Sequence, residues 1–436
     1  MKHIGIIAEY NPFHNGHSYQ INEIKKIFPD KDIIICMSGD YVQRGEPAVF
    51  PKALRTKCAL SGGADLVIEL PENFASASSE HFAAAGVITL ASTGIIDTLC
   101  FGAECDDINK LIKLSEFFIS EPDNYKHHLR NNLSNGLSYP KARAAAIHTC
   151  FPHDDFDELL RHPNNILAID YIKAIIRYDL PIKPYIIKRT SDNHGLLDTD
   201  GNLCSSSALR HAMQEYGNNI HNLSCEITSE CNNNENLNIK DNSTDINNIL
   251  KRNIPENIYN IIKESPYGKP IFFEDFYPYL QYRLMTDNNM LTGYHEITEE
   301  LSNRINNINI LPDTFHEFTD ILSGKQITHA RIRRAMLNVI LSRTKDNMKS
   351  SDIRNMINYI RILGVRKQST HLIKEMGAAA SLPIINKTTK ALSNLPADAS
   401  SQFEKSIADS IIYRQVFYNK YGIIIPTDYE QSVIIQ

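Results

Sequence analysis

Ile4-Gly5-Ile6-Ile7-Ala8-Glu9-Tyr10-Asn11-Pro12-Phe13-His14-Asn15-Gly16-His17 is the stretch from which the fold can be read. Residues 4–8 form a short, β-branched apolar run, which predicts a buried strand of a parallel sheet. Asn11-Pro12 ends that strand. From 18 to 28 the apolar residues Ile21, Ile24, Ile27 and Phe28 fall on one side of a helix. Strand, turn and helix in this order place His14 and His17 in the crevice beyond the carboxyl end of a strand, where open α/β sheets bind ligands. A helix N-terminus there offers free N–H groups and partial positive charge to a phosphate. Gly16 lets backbone approach a ligand. Two imidazoles at i and i+3 can face one phosphate and stabilise charge that develops on it. The competing reading gives the histidines a turn-closing or structural-metal role.

The same alternation continues. Strands are expected at 32–37, 65–70, 98–101 and 182–188, with helices between them at 51–61, 80–90, 106–120, 125–133, 139–149 and from 163 onward. The helix at 51–61 is expected to turn Lys52, Arg55 and Lys57 outward. The fold class is therefore α/β, Rossmann-like with a parallel sheet, and right-handed crossovers bring the strand-end loops to one edge. Those loops carry the other candidate ligands: Gln43 and Arg44 after the second strand, Gly102 after the fourth, Asn165 at a helix entry, and Arg189 at the end of the fifth. Arg189 suits a bidentate phosphate contact. Ser205-Ser206-Ser207 with Arg210 repeats the logic of the first motif, with hydroxyls and N–H groups at a helix start plus one guanidinium.

The chain has 436 residues, 42% of them hydrophobic, which is room for two or three domains. Its eight cysteines include no CxxC pair, so a zinc site or a disulfide framework is not expected and a reducing cytoplasm fits best. No signal peptide is read at the N-terminus, and no apolar run reaches the ~20 residues that span a bilayer.

Asn-Pro-Phe-His-Asn-Gly-His resembles the HxGH signature of the nucleotidyltransferase superfamily, and the wider string from Gly5 to His17 is similar to the bacterial tRNA(Met) cytidine acetate ligases. The likeness continues through Ser38–Ala48, Pro163–Ala168, Cys204–Arg210 and two strings of the C-terminal half, Thr328–Arg334 and Tyr359–Gly364. Cys204 and Leu209 stand where the superfamily's second motif has isoleucine, and Ser207 where it has threonine. The resemblance implies a nucleotidyltransferase domain that binds ATP, with Mg2+, through Ile7, Ala8, Glu9, Tyr10, Asn11, Pro12, Phe13, His14, Asn15, Gly16, His17, Ser18, Tyr19 and Gln20, and through Gly102, Asn165, Arg189, Ser206 and Arg210. His14 and His17 are the implied catalytic pair, with no protein-bound metal. It further implies that acetate is activated as acetyl-adenylate and passed to N4 of the wobble cytidine of elongator tRNA(Met). No stable protein partner is expected.

Residues 218–253 are polar and lack apolar periodicity, so they read as an insertion or linker between a catalytic domain, 1–217, and a mainly helical domain, 254–436. Within the latter, 352–363 is expected to be helical. Net charge is −6, yet Lys325 to Glu375 holds twelve Lys/Arg against three Asp/Glu, a surplus of nine that leaves −15 for the remainder. Such concentration is the expected footprint of a nucleic-acid backbone. Arg331, Arg333, Arg334, Arg361, Arg366 and Lys367 are the candidate tRNA contacts. Two alternatives remain open at this point: a small-molecule nucleotidyltransferase or synthetase with no RNA substrate, and a non-catalytic RNA-binding protein.

Overall fold

The computed structural model describes residues 2–189, 205–215, 242–324, 327–348 and 352–436. Its strands are β1 (His3–Ala8), β2 (Ile33–Ser38), β3 (Tyr41–Val42), β4 (Glu46–Pro47), β5 (Leu66–Leu70), β6 (Ile96–Ala103), β7 (Lys183–Lys188), β8 (Ile360–Val365), β9 (Ile384–Ile385) and β10 (Ile434–Ile435). Seven of them lie in the order β10-β8-β5-β2-β1-β6-β7, and β9 pairs with β8 in the same eight-stranded sheet. β5, β2, β1, β6 and β7 run parallel. All six residues of β2 are buried, as a strand covered on both faces requires. Alternation divides them: Ile33, Ile35 and Met37 meet Ile21 and Ile24 of helix Asn15–Ile27 and Leu54 of helix Lys52–Ser61. Ile34 and Cys36 meet the helices Ser79–Ser92 and Pro163–Arg177 on the other face.

The segment 352–363 is a single 3-10 turn followed by β8, not a helix, and β8 runs antiparallel to β5 with Arg361 opposite Glu69. Six residues of apolar character suffice for a strand buried on both faces, and periodicity alone does not separate that from a buried helix. The chain after residue 253 is mainly helical but also returns to the first sheet through β8, β9 and β10; of the expected polar insertion, 218–241 lies outside the described residues and Asn242–Asn253 is a helix. The helical part itself, Phe273–Thr286, Phe315–Leu322, His329–Ile340 and Ala397–Tyr421, has its own core. Tyr41 of the β3–β4 hairpin enters that core, its hydroxyl donating to Asp409 O at 3.1 Å.

Lys52 and Arg55 do not point outward. Both are buried, at 2% and 1% exposure, while Lys57 is exposed. Lys52 Nζ lies 3.0 Å from Glu69, 2.9 Å from Asp428 and 3.6 Å from Asp40. Arg361 closes the same cluster, 2.9 Å from Glu69 and 2.7 Å from Asp428. Burial alone would weaken Lys52 as a base-bound proton carrier, but Asp428 and Glu69 hold it firmly protonated. Burial works against the Asp428 charge too, yet Lys52 and Arg361 keep its carboxyl below the usual range.

Candidate active site at the first strand-to-helix turn

His14 is the N-cap of helix Asn15–Ile27. Its Nδ1 accepts the Gly16 N–H at 3.0 Å, and the His14 N–H in turn donates to Nδ1 of His17 at 3.2 Å. The rings stack with centroids 3.8 Å apart. Because each Nδ1 is an acceptor, each neutral ring must carry its proton on Nε2. Burial, followed by the charges of Arg189 and Arg210, pushes His14 down to about 3. Burial, His14 and Arg189 likewise hold His17 well below its ordinary range. The corner thus presents two neutral imidazoles, each with one Nε2–H donor, beside two guanidinium groups.

The turn is held from several sides. Tyr10 takes a φ of 47°, in the left-handed region, and its ring packs 4.8 Å from both Phe13 and His17. Such a backbone persists only where the neighbours over-determine it. Asn11 Oδ1 accepts the Val49 N–H at 2.7 Å. Arg55, which the sequence reading placed in solvent, donates to Glu9 O at 2.6 Å, Ser38 O at 3.0 Å and Phe50 O at 2.9 Å, and also to Gly39 O. It therefore ties the end of β1 to the end of β2. Nothing local in the sequence marks this, because every acceptor is a backbone carbonyl.

Residues 206–215 are helical, and Leu209 is fully buried. Ser206 Oγ donates to Pro12 O at 3.4 Å, and Arg210 donates to Asn11 O at 2.8 Å and to Ser207 Oγ at 3.2 Å. The two motifs, far apart in sequence, thus meet at the histidine turn; Cys204 lies outside the described residues. Arg189 donates its N–H to Ala103 O at 2.9 Å, and its side chain lies over Gly102, where a Cβ would meet Arg189 Cγ at 3.3 Å.

Several predicted contacts are engaged within the chain. Asn165 is 2% exposed, with Oδ1 accepting from Glu104 N at 3.0 Å and Cys105 N at 2.9 Å, and Nδ2 donating to Leu159 O at 3.1 Å. It shapes the loop after β6. Within Ile7–Gln20, the side chains of Tyr10 and Phe13 are core, each 1% exposed. Asn15 is turned to Arg252 O at 2.8 Å. Gly16 is required by His14 itself, since a Cβ there would meet the ring at 2.9 Å. Gln43 braces its loop, donating from its backbone to Glu9 at 2.9 Å and from its amide to Ala77 O at 3.3 Å, and Arg44 is exposed.

Of the basic candidates, Arg361 is contradicted outright, being buried at 5% exposure between two carboxylates. Arg333 meets Glu46 at 2.7 Å and Arg334 meets Glu296 at 2.9 Å. Glu46 also lies 3.6 Å from Arg210 Nε, so one carboxylate, which the sequence reading did not single out, joins helix His329–Ile340 to the phosphate-side arginine. Arg331 has no ion-pair partner among the described residues. Arg366, 3.6 Å from Asp65, and Lys367 follow β8 at the edge where the parallel strands begin, opposite the histidines.

Residues 1–423 match the model of the HIGH nucleotidyl transferase family. The chain is 32% identical to the tRNA(Met) cytidine acetate ligase of Acetivibrio thermocellus over 441 aligned positions, covering 100% of both chains. It is 33% identical to the enzyme of that name from Clostridium tetani, covering 89% of this chain and 91% of that one. Among solved structures it is similar to Thermotoga maritima TmcAL bound with alpha-thio ATP, with a TM-score of 0.83 and 26% identity, covering 100% of this chain and 99% of that one. The family model takes in the histidine turn and strands β8 and β9, and the Acetivibrio relative is matched over the full length, so the chain belongs to the tRNA(Met) cytidine acetate ligases of the HIGH nucleotidyltransferase family.

Proposed function

We infer that this chain is an ATP-dependent ligase that acetylates N4 of the wobble cytidine of elongator tRNA(Met), giving N4-acetylcytidine, AMP and pyrophosphate. The observation that carries this reading is the pair of neutral imidazoles at the β1 turn with Arg189 and Arg210 beside them. An acetate oxygen attacks the α-phosphorus of ATP while the bond to the bridging oxygen breaks and pyrophosphate leaves. The cytidine N4 then attacks the acetyl carbonyl, the carbon–oxygen bond to AMP breaks, and the amine releases a proton.

His14 and His17 donate Nε2–H bonds to oxygens of the reacting phosphate, where negative charge grows. Neutral donors suit this place, because a buried imidazolium beside two guanidinium groups would be costly before the anion arrives. Arg210 and Arg189 hold the pyrophosphate that departs. Among the described residues no group of three or more His, Cys, Asp or Glu side chains gathers in metal-binding geometry; an Mg2+ entering with ATP would be held mainly by phosphate oxygens and water. The chemistry it would supply is screening of the charge on the departing pyrophosphate.

Among the described residues no helix is long and apolar enough to cross a membrane. The test is incubation with labelled acetate, ATP and elongator tRNA(Met). Label on N4 of the wobble cytidine is the expected result. Acetate-dependent pyrophosphate release with no label on RNA would point instead to a small-molecule synthetase.

A further inference from the structure

Between Asp123 and Asp154 the chain carries no acidic residue, but it carries four Lys/Arg and four histidines. These residues form a helical hairpin, Asp123–Ser134 and Tyr139–Cys150. Its inner side is apolar: Tyr125 packs 5.2 Å from Phe117 and 6.0 Å from Phe118, and Ala142, Ala146 and Ile147 are fully buried. Arg143 is spent on this packing, 5.6 Å above the Phe118 ring. The outer side differs. Arg130 and Lys141 are exposed, Lys126 is half-buried, and Tyr139, two residues before Lys141, is 54% exposed. Among the described residues no carboxylate lies within ion-pair distance of Lys126, Arg130 or Lys141.

The segment Lys325–Glu375, with the larger count of basic residues, is the contrast. Arg333, Arg334, Arg343, Arg354 and Arg361 are each matched there by a carboxylate at 2.7–2.9 Å. A cation already paired contributes little counter-ion release when a polyanion arrives, whereas an unpaired one contributes fully. An exposed tyrosine among unpaired cations adds a stacking platform for an unpaired base.

We propose that the hairpin Asp123–Cys150 is a contact surface for an RNA backbone, through Lys126, Arg130 and Lys141 with Tyr139. This rests on the assignment of tRNA as substrate and names a surface for it that the charge count had placed elsewhere.

The experiment uses the full chain and titrates elongator tRNA(Met) across a salt series. K126Q/R130Q/K141Q is compared with the unaltered protein and with R331Q/K367Q. Each lost phosphate contact removes about 0.7–0.9 from the slope of log K against log salt, so the hairpin variant should lose roughly 2–3. Its Kd should rise about tenfold or more at low salt. Acetate-dependent pyrophosphate release without tRNA should be unchanged, which also shows that the variant is folded. The charge-preserving K126R/R130K/K141R should bind as the unaltered protein does. Unchanged affinity and slope in the Gln variant, while the unaltered protein binds, overturns the hairpin proposal alone and leaves this surface to a partner other than RNA. If the unaltered protein fails to bind tRNA at any salt, the substrate assignment falls as well.

Discussion

The histidine turn and the stretch Lys325–Glu375 use positive charge in opposite ways. At the turn, Arg189 and Arg210 have distant counter-charges, Glu104 at 3.9 Å and Glu46 at 3.6 Å, and their remaining bonds go to backbone carbonyls and one hydroxyl. Positive potential is left standing beside two neutral imidazoles. In the stretch, Arg343 meets Asp409 at 2.7 Å with both side chains buried, and Arg361 meets Asp428 at 2.7 Å in the same way. Those charges are consumed in joining elements: β8 to β5, and helix Ala397–Tyr421 to the segment after helix His329–Ile340. A count of basic residues measures binding capacity only after the internal carboxylates are subtracted.

The contrast is sharpest at Arg361. Arg361→Ala leaves Glu69 and Asp428 facing Lys52 alone inside the protein. Removing one member of a buried ion pair typically costs about 3–5 kcal/mol, so urea denaturation should show a loss of that order. Arg331→Ala, on a surface position, should stay within about 0.5 kcal/mol of the unaltered protein. An Arg361→Ala protein of full stability but weakened tRNA binding would return that residue to the RNA surface and break the comparison.

The turn makes a prediction of its own in pH. His14 and His17 have folded-state values below that of the unfolded chain, so their neutral forms favour the fold. Their contribution is complete above the unfolded value, near 6.5, and is lost as pH falls from there toward about 3, the folded value of His14. Each buried histidine that gains a proton on unfolding gives a slope of about 1.4 kcal/mol per pH unit. Denaturation at pH 7 and 5.5 should therefore show a slope that His14→Asn reduces. An unaltered slope would mean that His14 is not held neutral by the fold.

The smallest effect sits where the two regions touch. Glu46 is shared between Arg333 and Arg210. Glu46→Gln removes a competitor for the triphosphate and should tighten ATP about threefold, the size of a partly exposed ion pair. Arg333→Gln leaves Glu46 wholly to Arg210 and should weaken ATP by a similar factor. Shifts in the same direction for both variants would dissolve the link.

The same distinction explains what was legible from the residues. β1, its turn and the first helix rest on contacts between near neighbours, such as Gly16 with His14 and His14 with His17, and their reading stands. The parallel strands through β7 were legible because each is a short apolar run between turn residues. β8 was not, since its strand character comes from pairing with β5, hundreds of residues earlier. Lys52 and Arg55 look like the polar side of an amphipathic helix until Asp428 and the carbonyls of Glu9 and Ser38 are brought to them. Asn165 stands at the helix entry expected for it, but its amide is used to build the loop after β6, which residue type alone does not reveal.

Two imidazoles acting as neutral donors to the phosphate under attack are the centre of the proposed chemistry. Acetate-dependent exchange of pyrophosphate into ATP, measured for His14→Asn and for His17→Asn without tRNA, addresses that step alone. Each substitution should lower exchange by about 10²–10³, the cost of removing one such donor, while tRNA affinity stays unchanged. Exchange retained within about threefold in both variants, set against that expected loss, would move the chemistry away from this turn.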